Sequence, residues 1–357
     1  MNTIGHTLKF TIFGESHGRY VGAILDGLPA GLHIDVEQIQ HEMDLRRPAP
    51  LIGTARHEED TVEISGGIRD GVLTGTPLLF LIRNTDVRST VYEEMRNIPR
   101  PGHADYTSFV KYRGHSDYRG GGQFSGRMTA PMVAAGAAAR QYLSSKGMRV
   151  AARVVSIHDV EDRKNYSFQE IENRRFSNEI RCVDEETAVR MRDRILEARK
   201  NSDSVGGIIE CRATGVAAGL GEPFFDTVEG ELSKMIFAIP AVKGIEFGSG
   251  FSSTRMTGSE NNDPFAIQDG KVVTHTNNAG GINGGITNGM DVVFRVAFKP
   301  TSSIPKVQKS VDLSSMKETE MQVKGRHDPC IVPRAVIAVE AACCLVFADL
   351  LLRSGYS

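Results

Sequence analysis

The stretch Met128-Thr129-Ala130-Pro131-Met132-Val133-Ala134-Ala135-Gly136-Ala137-Ala138-Ala139-Arg140-Gln141-Tyr142-Leu143 decides the fold. It reads as one helix over 128–143, filled with small residues, among them Ala134, Ala135, Ala137, Ala138 and Ala139. Such a helix lets its neighbours come close, so it belongs in the centre of the molecule. A second buried helix follows from residues 335–352. Glu340 and Asp349 interrupt this apolar stretch, and its longest unbroken run is far below the roughly 18 residues of a membrane span. It is apolar nearly all round, which puts it in the interior, and Pro333 suits the first helical position.

Outward from these two helices, residues 35–47 form a helix capped by Asp35 and stopped by Pro48, with Val36, Ile39 and Met43 on one face. Residues 184–200 are amphipathic, with Met191, Ile195 and Leu196 inward. Asp226 with Glu229 has the spacing of a capping box ahead of Val228, Leu232, Met235 and Ile236. Strands are expected at 61–69 and 78–83, around the hairpin-type dipeptide Asp70-Gly71. Others are expected at 207–216 and at 291–299, where Val292, Phe294, Val296 and Phe298 line one face. Helices and strands do not alternate regularly, which argues against a doubly wound parallel sheet. The expected class is α+β, with antiparallel sheets packed on buried helices.

The chain has 357 residues, 40% hydrophobic and 24% charged, the composition of an ordinary globular protein. No Pro/Ser/Gly linker divides it, so residues 1–357 are expected to form a single domain. A net charge of -2 gives no global attraction to nucleic acid or an anionic membrane. The N-terminus carries no signal-peptide core. Five cysteines, an odd number with no CxxC spacing, argue against a disulfide framework or zinc site and for a reducing, cytoplasmic setting.

Five segments carry chemistry. Gly14-Glu15-Ser16-His17-Gly18 matches G-x-S-x-G, the nucleophile elbow, but a strand-like 20–29 follows it where that elbow needs a helix. Arg46-Arg47-Pro48 ends a helix, with Arg56 shortly after. Arg100-Pro101-Gly102-His103-Ala104-Asp105-Tyr106 precedes Asp117-Tyr118-Arg119-Gly120-Gly121-Gly122-Gln123-Phe124-Ser125-Gly126-Arg127. Its glycines allow close backbone approach to a ligand, the helix that follows offers its positive end to an anion, and Arg127 adds a planar fork. A Gly/Asn run fills 277–289, a candidate flexible loop, and Lys299-Pro300-Thr301-Ser302-Ser303 ends a strand as a phosphate cradle. Last, Lys324-Gly325-Arg326-His327-Asp328-Pro329-Cys330 packs Arg, His and Asp before the C-terminal helix.

Together these segments resemble the chorismate synthase family, in the family's order and over about nine tenths of the chain. The resemblance implies a layer of central helices sandwiched between antiparallel β-sheets. It implies a 1,4-elimination of phosphate from 5-enolpyruvylshikimate 3-phosphate, giving chorismate, with reduced FMN required and no net redox change. By position, His17 resembles the acid that protonates departing phosphate, with Ser16 beside it. His103 resembles the histidine that acts on the reduced flavin, and Asp328 the residue near flavin N5, with Ser125 also in the catalytic set. Arg46, Arg56, Arg100, Arg127 and Arg326 would clamp substrate. Gln123, Phe124, Ser125, Ala241, Gly284, Lys299, Pro300, Thr301, Ser302, Ser303 and Arg326 would line the flavin. The family also implies a homotetramer.

The sequence departs from the family at two places. R-R-P-G with a later Arg reads Arg46-Arg47-Pro48-Ala49-Pro50-Leu51-Ile52 here, so that Arg, with any NADP contact it makes, is missing. Where a family variant reads R-S-S-A-R, Gln123-Phe124-Ser125-Gly126-Arg127 lacks one cationic flavin contact. No Rossmann pattern is present, so NADPH is expected to enter only indirectly, through an external flavin reductase. A serine hydrolase using Ser16 and an RNA-binding module using 119–127 are the alternatives of other classes.

Overall fold

The structure is a computed structural model that describes residues 1–49, 52–53, 59–85, 90–93, 95–323 and 327–355. The helices that organise it are α1 (Val36–Leu45), α2 (Asp105–Lys111), α3 (Thr129–Ser145), α4 (Glu185–Lys200), α5 (Val228–Ile236) and α6 (Val332–Arg353). One sheet holds β1 (Thr3–Ile4), β2 (Lys9–Gly14), β3 (Tyr20–Asp26), β4 (Val62–Ile64) and β5 (Leu78–Arg83), in the order β1-β2-β3-β5-β4. The other holds β6 (Arg149–Ile157), β7 (Val160–Glu161), β8 (Gly207–Thr214), β9 (Val242–Phe247) and β10 (Val292–Phe298), in the order β9-β10-β8-β6-β7. Both sheets are antiparallel throughout.

α3 lies on β3 and β5, α6 lies on β6 and β8, and the two helices pack on each other between the sheets. This is the α+β class expected from the buried helices, in the sandwich form that the resemblance implied. The reason shows at Gly136: a Cβ there would sit 2.4 Å from the Cβ of Ala341, so only glycine permits so close a crossing. α6 is long and apolar enough to span a membrane, yet 94% of its most apolar window is buried within the protein. Its two acids anchor it. Glu340 accepts from Arg140 at 2.7 Å, Arg175 at 3.0 Å and the Ala152 amide at 2.7 Å. Asp349 accepts from the Thr7 and Leu8 amides, each at 2.7 Å.

Local patterning holds with instructive exceptions. Asp35 caps α1 by accepting from the Glu37 and Gln38 amides, and Ile39 and Met43 are buried, but Val36 is 39% exposed. Leu196 on α4 is likewise 37% exposed, whereas Met191 and Ile195 are buried. Each exposed residue sits at the edge of its apolar stripe, whose centre Ile39 and Met43, or Met191 and Ile195, occupy. The cap of α5 is Thr227, not Asp226: its hydroxyl accepts from the Gly230 amide, and Asp226 pairs with Arg353. Asp70-Gly71 forms a two-residue hairpin of its own between Ile68–Arg69 and Val72–Leu73, both turn residues at positive φ, as a type I′ turn requires. That hairpin is nested inside the longer β4–β5 connection. The 277–289 run is a wired turn. Asn277 donates to the Asp291 carbonyl at 2.8 Å and accepts from the Gly281 amide at 2.7 Å, and Ile282–Asn283 pairs with Ile286–Thr287. All five cysteines are buried free thiols.

Candidate active site

A cavity of about 580 Å³ opens beside the N-terminal ends of α3 and α6, and the segments after α5 and β10 complete its wall. Two helix N-termini at one cavity favour negative charge there.

Its floor is a buried ion cluster. Asp60 accepts from both Arg46 and Arg127, and the three residues are 3%, 3% and 5% exposed. Arg127 Nε also donates to Asn84 Oδ1 at 2.8 Å. Burial alone would raise the Asp60 carboxyl, but the two guanidiniums outweigh it and hold it below the usual carboxylate range. Burial pushes Arg46 down to about 10; Asp60 opposes this, and Arg334 and Arg127 add to it. Arg46 therefore stays charged at neutral pH.

One wall comes from the turn into α2. Asp105 takes Arg100 in a two-point grip, Nε at 2.7 Å and Nη2 at 2.8 Å. It also lies 2.6 Å from His103 Nδ1, and Arg100 Nη1 donates to Ser303 at 3.1 Å. Burial opposes ionisation of Asp105, yet hydrogen bonds from Arg100 and His103 keep it ionised well below the usual range. Arg100 Nη2 also lies 3.1 Å from His103 Nδ1; the shorter contact is to Asp105, and an ionised carboxylate only accepts, so Nδ1 is the donor to it and Nε2 is the other ring nitrogen.

Three glycines separate the two histidines. Gly120, Gly121 and Gly122 have φ of 60°, 85° and 52°, where side chains are strained. A Cβ on Gly120 would lie 2.5 Å from the His17 ring and 2.9 Å from Ser16 Oγ, and one on Gly121 would lie 3.1 Å from the His103 ring. The backbone thus threads between His17 and His103. His17 also meets the Tyr92 ring edge-on at 5.2 Å.

On the far side Lys299 Nζ donates to the Gly102 carbonyl and to Ser302 Oγ, both at 2.7 Å. Burial lowers its pKa, with Lys243 contributing. Thr301 donates to the Asp328 carbonyl at 2.9 Å, and Arg334 Nη1 holds the Asp328 carboxylate at 2.8 Å. Among the described residues the cavity presents six cationic side chains, Arg46, Arg100, Arg127, Lys243, Lys299 and Arg334, against the carboxylates of Asp60 and Asp328 in its lining and of Asp105 behind Arg100. The surplus suits a ligand with several anionic groups.

Most residues singled out from the sequence converge here. Arg46, Arg100, His103, Gln123, Phe124, Ser125, Arg127, Ala241, Lys299, Pro300, Thr301, Ser302, Ser303 and Asp328 all line the cavity. Ser16 and His17 sit one layer behind its wall, against Gly120. Gly284 is not brought to it; it turns the Ile282–Thr287 hairpin instead, which packs by Thr227 at the start of α5. Arg56 and Arg326 lie outside the described residues. Ser16 is no nucleophile elbow: it is fully buried in the hairpin turn from β2 to β3, with no helix behind it. Sequence reading missed Asp60 and Asn84, whose partners are far away in the chain, and Arg334, whose partner Asp328 is six residues earlier. Asp105 was visible in its motif, two residues after His103, a spacing that could have suggested the pair.

Comparison with known proteins agrees with this geometry. The family model described as chorismate synthase matches residues 8–352. The chorismate synthase of Methanosarcina mazei is 49% identical over 99% of this chain and 97% of its own. That of Korarchaeum cryptofilum is 48% identical over 98% and 97%. A crystal structure of a chorismate synthase superposes with a TM-score of 0.77 at 30% identity, over 98% of this chain and 93% of that one. With the site residues gathered round one cationic cavity and the match running nearly end to end, the chain belongs to the chorismate synthase family of lyases, enzymes of aromatic amino acid biosynthesis.

Proposed function

We propose that the enzyme converts 5-enolpyruvylshikimate 3-phosphate to chorismate by 1,4-elimination of phosphate, and that it requires reduced FMN without net redox change. The observation that carries this reading is the cationic surplus round one cavity: the substrate brings a phosphate and two carboxylates, and the flavin a further phosphate. The residues fit a flavin. Arg46 Nε is buried with no hydrogen-bond partner among the described residues, an unused donor on the cavity floor. Phe124, Ala238, Ile239 and Ala241 give an apolar strip for a ring system, and Lys299, Ser302 and Ser303 give donors for a phosphate.

When bound, reduced flavin supplies the transient electron that lets an allylic phosphate and a non-acidic ring hydrogen leave. Arg46, Arg127 and Arg100 hold the substrate's anions, with Arg56 and Arg326 assigned alongside them. His17, one layer behind the cavity wall at Gly120, would supply the proton for the departing phosphate, with Ser16 beside it. His103 acts through Nε2 on the flavin; in support, its Nδ1 is committed to Asp105. Asp328, steadied by Arg334, would take up a proton from the flavin side of the cavity. Ser125 and Gln123, which line the cavity, would border the bound flavin.

The same reading carries a homotetramer, a cytoplasmic setting and an external reductase that draws on NADPH. Phe224, Phe225 and Phe251, 90%, 94% and 79% exposed, offer apolar surface for subunit contacts. Light scattering reads the assembly directly. For the chemistry, His17→Ala and His103→Ala should each lower turnover by about a hundredfold or more while circular dichroism stays native. Full activity in both variants contradicts the roles.

A further inference from the structure

A second cleft, of about 290 Å³, lies behind Arg334, between the end of α1, the 176–181 turn and the start of α6. Arg334 borders both this cleft and the main cavity. Three guanidiniums face the cleft, Arg47, Arg181 and Arg334, against the carboxylate of Glu179. Arg47 is paired with Asp44 and Arg334 with Asp328. Arg181 is different. It is only 8% exposed, its Nη2 donates to the Leu45 carbonyl, and its Nη1 has no hydrogen-bond partner among the described residues. Burial lowers its pKa to about 10; Glu340 counters this, and Arg334 and Arg175 deepen it. A buried guanidinium with an unmet donor and other cations nearby is a place where an anion is missing. The remaining wall sets the apolar Ile52, Phe176 and Pro333 beside the polar Ser177 and Asn178, and the Phe176 ring centre lies 5.3 Å from Arg181 Cζ.

We infer that this cleft is a second anion site, which takes a carboxylate or phosphate carried on a compact apolar body, with Arg181 Nη1 as its principal donor. An anion there also draws on Arg334, the residue that steadies Asp328 in the main cavity, so occupancy of the cleft reaches the first site through one side chain.

The test uses 4-bromobenzoate with the full-length protein, in calorimetric titration and as a crystal soak read by bromine anomalous scattering. The expected result is a bromine beside Phe176 with the carboxylate on Arg181. Affinity at that site should fall about tenfold or more in Arg181→Gln, the loss of one charge-assisted contact. Arg47→Gln, a more exposed position, should fold normally and weaken binding about two- to fivefold. Inorganic phosphate that displaces the probe from the cleft assigns recognition to the anionic head alone; no displacement assigns it also to the apolar body. A bromine found only in the main cavity, binding seen at crystal concentration only, or wild-type affinity in both variants overturns the inference.

Discussion

Asp60→Asn is the sharpest perturbation of the site. The substitution keeps the shape but removes the one charge shared by Arg46 and Arg127, all three residues being at least 95% buried. Removing one partner of a buried ion pair costs about 3–5 kcal/mol, because a charge is left uncompensated. The asparagine carbonyl still accepts one hydrogen bond, while its amide turns donors toward a donor, so the low end, about 3 kcal/mol, is expected. At about 2 °C per kcal/mol for a chain this long, Tm should drop by about 6 °C in scanning calorimetry. Two guanidiniums without their anion should then gain from added phosphate, so phosphate should raise the variant's Tm by more than the wild type's. A Tm within about 1 °C of wild type, with no extra response to phosphate, would refute the claim that Asp60 neutralises the cavity floor.

Stability should also depend on acid pH in a defined direction. Asp60 and Asp105 both have folded pKa values below the unfolded value of about 3.9, so their contribution is present above about pH 4 and lost as pH falls through the lower folded values. The acid limb of the Tm-against-pH curve should be shallower in Asp60→Asn. Gly136→Ala places a Cβ 2.4 Å from that of Ala341 and should destabilise by about 1–3 kcal/mol in denaturant titration, through forced separation of α3 and α6. Gly120→Ala meets the His17 ring at 2.5 Å at a φ of 60°. Displacing that histidine by about 1 Å should lower kcat by about a hundredfold, with flavin affinity, read by fluorescence quenching, changed far less.

The buried central helices were legible from their residues, α3 by small side chains and α6 by apolar ones on every face, while their place between two sheets came from the family resemblance. The site was legible where its residues cluster in sequence, as at 100–105 and 120–127. What escaped was long-range. Asp60 finds Arg46 fourteen residues earlier and Arg127 sixty-seven later, and no local spacing marks it. Arg334 escaped for another reason: its partner Asp328 is only six residues earlier, but the pair forms across the start of α6. The edges of apolar stripes, Val36 and Leu196, were misjudged because periodicity gives the centre of a buried face but not its width. Asp226 was read as the cap of α5, but the next residue takes that place: the Thr227 hydroxyl accepts from the Gly230 amide while Asp226 pairs with Arg353.

The most direct measurement follows phosphate release and chorismate formation from 5-enolpyruvylshikimate 3-phosphate, under anaerobic conditions, with FMN either chemically reduced or left oxidised. Stoichiometric phosphate and chorismate with reduced FMN, and none with oxidised FMN, is the predicted result. No turnover from folded protein shown to bind reduced FMN would contradict the proposed elimination and turn attention to the departures after Pro48 and at Gln123.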